Sequence, residues 1–105
     1  MRLPGLIRSR LDQWIELYLS NIHGLDNEFA RHSASEWYKL GYATGIYVQL
    51  DEYGYADYIR SKIGSEIVGH DRKQMQESYE DYRKGYTAAL THVKSSLPRM
   101  NASGR

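Results

Sequence analysis

Between residues 5 and 22 the apolar side chains Ile7, Leu11, Trp14, Ile15, Tyr18 and Ile22 recur at steps of three and four, which places them on one side of an α-helix. His23 and Gly24 follow as a natural stop. Asp26 or Asn27 can cap a short turn carrying Phe29, and Ser33 with Glu36 has the S-x-x-E spacing of a capping box, which predicts a second helix from Ala34. Along it Trp37, Leu40, Gly41, Thr44, Tyr47 and Val48 share one side. Trp37, Gly41, Thr44 and Val48 are therefore expected to face the core, with Tyr38 and Tyr42 turned outward. The β-preferring Ile46, Tyr47 and Val48 leave a strand over 46–50 as the alternative.

Gly54 predicts a break. Tyr55, Tyr58, Ile59 and Ile63 then carry a third, short helix to Gly64. Asp71 and Gln74 repeat the capping arrangement. Met75, Tyr79, Tyr82, Tyr86, Leu90, Val93 and Leu97 continue the helical spacing to Pro98, with Glu80 and Lys84 placed to pair on the surface. The expected fold is all-α: a small antiparallel helical bundle of three main helices plus one or two short ones, with a small α+β fold as the alternative. The prolines, Pro4 and Pro98, bracket a single domain over 1–97, and residues 98–105 read as a flexible tail.

At 105 residues the chain can bury one modest core. The balance of 14 Lys+Arg against 13 Asp+Glu lacks the basic excess of a strong duplex binder. With no cysteine, disulfides, zinc–thiolate sites and thiol catalysis are excluded, and the absence of a signal-like start points to the cytoplasm. The uncharged run over 40–50 is 11 residues, short of the roughly 20 that cross a bilayer, so no membrane association is expected.

Chemistry is sparse. His23, His32, His70 and His92 stand at no metal-ligand spacing, and no cofactor motif occurs, so neither a metal nor a cofactor is expected. Asp51, Glu52 and Asp57 form one carboxylate group and Glu77, Glu80 and Asp81 another; they could act as an acid/base pair only if folding joined them. No catalytic residue is assigned.

Tyrosine is the compositional anomaly, ten residues against one phenylalanine, and six of the ten lie within 21 residues. Tyr rings suit core margins, but they also give rigid contact area at low entropic cost. The expected function is accordingly a small non-enzymatic regulator or inhibitor that occupies a partner protein's surface, of the kind phages and mobile elements carry. Tyr38, Tyr42, Tyr53 and Tyr55 would make the contact and Asp51 and Glu52 the rim.

Gly41 and Gly45 form G-x-x-x-G, which either accommodates a neighbour within the domain or joins two subunits in a homo-oligomer. The alternative function is RNA or ribosome binding through Arg8, Arg10, Tyr82, Arg83 and Lys84, tyrosines stacking on bases while cations hold phosphates. If the first and last helices run antiparallel, the basic residues that open the chain (Arg2, Arg8, Arg10) and those that close it (Lys94, Arg99, Arg105) are expected at different ends unless an intervening crossover aligns them.

Two stretches, YKLGYATG and YRKGYTAA, share the pattern Tyr-x-x-Gly-Tyr-x-x-small. In Gly41, Tyr42 and Gly45, then Gly85, Tyr86 and Ala89, the chain resembles the ribosome modulation factor group, a resemblance that implies a ribosomal partner. It departs from that group in lacking a strongly basic character and in the distance between the two segments. Two helices packing through glycine would leave the same pattern.

Overall fold

A computed structural model describes residues 3–29, 35–64 and 79–99, and the features below belong to those residues. They form four helices and no strand: α1 (Gly5–Ile22), α2 (Glu36–Glu52), α3 (Ala56–Ile63) and α4 (Tyr79–Ser96). The α+β alternative is thereby excluded for 46–50, which lie inside α2. The expected cap at Asp71 and Gln74 lies outside the described residues, as does Ser33. The side chain that caps α2 is Ser35, whose hydroxyl accepts from the Tyr38 N–H at 3.1 Å.

Both α1 and α2 end in the same device. Leu25 N–H bonds Ser20 C=O and Gly24 N–H bonds Asn21 C=O, while Tyr55 N–H bonds Leu50 C=O and Gly54 N–H bonds Asp51 C=O. This is the Schellman pattern, which needs a left-handed residue after the cap. Gly24 (φ 72°) and Gly54 (φ 96°) supply it without a Cβ clash. The second turn swings α3 back along α2, where Arg60 Nε donates to Tyr47 Oη at 3.0 Å and Tyr58 donates to Asp12 of α1 at 2.7 Å.

Successive helices run antiparallel. Lys39, near the start of α2, donates to the Gly24 carbonyl just beyond α1 and pairs with Asp26 at 3.0 Å. At the other end Arg10 and Trp14 of α1 reach Ser96 of α4. As a result α2 and α4 lie side by side in the same direction, with Trp37 beside Tyr82 and Gly45 beside Tyr86 and Ala89.

This parallel pairing is the main helix contact, and small residues make it possible. Gly41 faces the Tyr82 backbone carbonyl and Gly85 faces that of Tyr38, so the two Tyr-x-x-Gly-Tyr-x-x-small segments meet reciprocally. A side chain at either glycine would hold the backbones apart. The G-x-x-x-G face is therefore spent within the domain.

The core unites Leu11, Trp14, Ile15 and Tyr18 of α1 with Tyr42, Ala43, Ile46 and Leu50 of α2. Tyr55 and Ile59 close it from the α3 side, and Ala89, Val93 and Leu97 from the α4 side. Because α2 is flanked by α1, α3 and α4, it buries residues around most of its circumference. The expected orientation of α2 is corrected accordingly: Tyr42 is fully buried and Val48 is exposed.

The C-terminal side of α4 is tied down. Tyr55 donates to the Pro98 carbonyl at 2.6 Å, and Arg99 lies over the Tyr53 ring. The first two residues of the expected tail are thus held by contacts, and the rest lie outside the described residues. No helix among the described residues is long and apolar enough to cross a membrane.

Candidate functional site

An open cleft of about 730 Å³ lies between α1, the segment after it and the last turns of α4. Its aromatic wall comes from three places in the chain. Trp14 projects from α1 and is fixed by its indole N–H, which donates to Ser96 Oγ at 2.9 Å. Phe29 is delivered by a side-chain turn in which Asn27 Oδ1 accepts from the Phe29 N–H at 3.0 Å, while Asn27 Nδ2 reaches Ser20 Oγ. His92 comes from α4, and its Nδ1 shares a 2.8 Å hydrogen bond with the Tyr42 hydroxyl.

The rings pack in order. Trp14 and Phe29 stack at 5.8 Å with 11° between planes, Phe29 lies 5.0 Å from His92, and Tyr42 stacks beneath Phe29 at 6.0 Å. Such pairs contribute about 0.5–1.5 kcal/mol each beyond burial. Phe29 nevertheless stays 37% exposed, so part of the ring faces the cleft. Glu16 of α1 and Glu28 beside Phe29 line the same space with Gln13, Ser20 and Ser95.

Ser95 Oγ donates to the Thr91 carbonyl and Ser96 Oγ accepts from Trp14, while the His92 ring bonds Tyr42. The Tyr42 phenol is pushed up well above its ordinary range, chiefly by burial and further by Tyr38 and the Glu28 charge. It stays protonated and serves as a hydrogen-bonding prop for His92.

Two more phenols share that direction: Tyr55 through burial, and Tyr58, pushed up to about 12 by burial and by its bond to Asp12. A raised phenol pKa means that the folded chain holds protons the unfolded chain releases above the ordinary value of 10.0. Their stabilisation is complete below that pH and is lost as pH rises toward 12 and beyond. The urea midpoint followed by circular dichroism should hold steady to about pH 10 and fall above it. A midpoint rising over that interval would contradict these environments.

The sequence-predicted contact residues do not form one patch. Tyr42 and Tyr55 are buried, at 0% and 2% exposure, and are corrected from contact residues to core residues. Tyr38 is half-buried near the start of α2, whereas Asp51, Glu52 and Tyr53 stand at its far end, about 20 Å along the axis. Asp51 and Glu52 are exposed and Tyr53 is half-buried.

The RNA set divides likewise. Arg10 bonds the Ser96 carbonyl, whereas Tyr82, Arg83 and Lys84 lie at the start of α4, about 20 Å away. Arg8 sits with Arg10 and donates to the Leu3 carbonyl. Contrary to expectation, Arg10 shares an end with Lys94 and Arg99, since the antiparallel course of α1 and α4 brings it to the C-terminus of α4; Arg2 and Arg105 lie outside the described residues.

Among the described residues the two carboxylate groups stay apart as well, with Asp51, Glu52 and Asp57 near the end of α2 and Glu80 and Asp81 beside its start; Glu77 lies outside the described residues. Glu80 pairs with Arg83 at 3.4 Å rather than with Lys84. No cluster of three metal-ligating side chains occurs among the described residues. Sequence reasoning missed the cleft, although Asn27 and the lone Phe29 two residues later were a legible turn signal.

No protein-family model, curated protein or solved structure matches the chain. The resemblance to ribosome modulation factors thus rests on Gly41, Tyr42, Gly45, Gly85, Tyr86 and Ala89. Close packing of α2 on α4 accounts for the small residues among them.

Proposed function

We propose that the protein is a small non-enzymatic binding protein that regulates or inhibits a partner protein by engaging a segment of it in the cleft between α1 and α4. The observation that carries this reading is the open aromatic wall of Trp14, Phe29 and His92, assembled from three elements and braced from below by Tyr42. A cleft of this size, apolar at its wall with a few polar groups at its edge, suits recognition of a side-chain cluster. The contact surface of this reading is therefore the cleft, with Tyr38 and the Asp51–Glu52–Tyr53 end outside it.

The test is affinity capture from the native cells with the wild-type chain and with Ser95→Trp, which places a bulky ring in the cleft from an exposed position. One protein partner should co-purify with the wild type, resist ribonuclease and be lost from the variant. Capture of RNA with a steep salt dependence would instead favour the nucleic-acid reading. Equal capture of the same partner by Ser95→Trp would overturn the cleft as the site.

A further inference from the structure

The cleft combines flat π-faces with carboxylates from two elements, Glu16 on α1 and Glu28 beside Phe29, and no lysine or arginine is among its described lining residues. We infer that it receives the guanidinium of an arginine side chain, carried on the reading above by the partner protein.

Three physical arguments converge on that occupant. First, the only formal charges among the described lining residues are two carboxylates, and these and the ring faces beside them attract a cation and repel an anion. Second, a purely apolar side chain filling the space would strip water from Glu16 and Glu28 and return nothing to them, a cost that a cation offsets. Third, the shape favours arginine over lysine. A planar guanidinium can lie flat against the aromatic lining, where Phe29 keeps 37% of its surface exposed, while its edge donates to a carboxylate, whereas an ammonium is a more strongly hydrated point charge.

Among the described residues, the arginine bonded at the edge of the cleft is accounted for elsewhere. Arg10 is held by the Ser96 carbonyl at 2.7 Å, at the C-terminus of α4, where a cation also meets the negative end of the helix dipole. It stabilises the end of the cleft wall, and among the described residues no ion pair engages Glu16 or Glu28. The stack of Phe29 on Trp14 and its brace on Tyr42 hold the receiving surface in place before binding, which lowers the ordering cost.

The measurement is a nuclear magnetic resonance titration of the full-length chain with N-acetyl-arginine amide, read at the Trp14 indole N–H and the Phe29 and Ser95 amides, with Trp37 as the internal reference. N-acetyl-citrulline amide, equal in shape but uncharged, is the control. The arginine probe should give saturable shifts in the millimolar range at the cleft signals. The citrulline probe should give none, and the Glu16→Gln/Glu28→Gln double variant should bind the arginine probe about tenfold more weakly. Equal response to the two probes, or an unchanged titration in the double variant, overturns the inference.

The outcomes also separate it from the proposed function. Partner capture that survives the double variant but fails with Ser95→Trp keeps the binding cleft and removes the arginine. Arginine-probe binding with no captured protein keeps the cation site and removes the protein-partner reading.

Discussion

Gly41→Ala is expected to be among the most damaging single-methyl changes in the chain, although alanine is the better helix former by about 0.5–1 kcal/mol. The added methyl would enter the space of the Tyr82 carbonyl, and at Gly85 it would meet the carbonyl of Tyr38. Backbone atoms cannot rotate aside as a side-chain tip can, so α2 and α4 must separate and loosen the packing along their whole contact. The overpacking cost should exceed the propensity gain and reach about 3 kcal/mol, out of a total stability of only about 5–15 kcal/mol.

A loss of that size lowers the melting temperature by more than about 10 °C in a domain of this length. Gly5→Ala is the matched control, because a methyl there meets nothing within 4 Å. It should change stability by less than about 0.5 kcal/mol. Calorimetry showing equal melting of the Gly41 and Gly5 variants would mean that the helices do not approach as described.

Tyr42→Ala should cost about 3–5 kcal/mol, the range for emptying a buried aromatic site. Its ring has no exposed surface and stacks against Trp14, Phe29 and Tyr38, so the wall of the cleft would lose its brace along with the core. Tyr42→Phe keeps the ring and removes only the hydroxyl bonded to His92, a change expected to cost about 1 kcal/mol. Denaturant titration of the two variants distinguishes packing from hydrogen bonding. Native-like stability of Tyr42→Ala would restore it as the surface contact that the sequence pattern suggests.

That reversal shows how far periodicity reaches. α1 was legible residue by residue, with Leu11, Trp14, Ile15 and Tyr18 buried as their spacing requires, because it packs with one side and leaves the other to water. α2 has neighbours on several sides, so no polar stripe marks its outer face; Gly41 is buried as expected, but placing Val48 inward and Tyr42 outward was the wrong way round. The break at Gly54 and the stop at Gly64 were readable from the residues, as was the all-helical class.

The cleft was not readable, and the reason is physical. Residues 14, 29 and 92 become neighbours only when α1 and α4 align antiparallel, and no local pattern encodes the distance between two helices. The glycine repeat came closest to doing so. It indicated that two helices could approach closely, without saying that they were these two or that they ran in the same direction.

The bonds from Arg10, Trp14 and Tyr55 to Ser96 and Pro98 also set the order in which the molecule can be made. The α2–α4 contact joins positions more than forty apart, and the closure at Ser96 and Pro98 draws on the last described residues. Segments emerging earlier from the ribosome have helical propensity but little to pack against, since α2 has its largest contact with α4. The closing bonds therefore become available only once residue 98 has been made. Until then the nascent chain carries Tyr18, Tyr42 and Ile46 without their final shelter, and a stalled or truncated product would be left open to proteases.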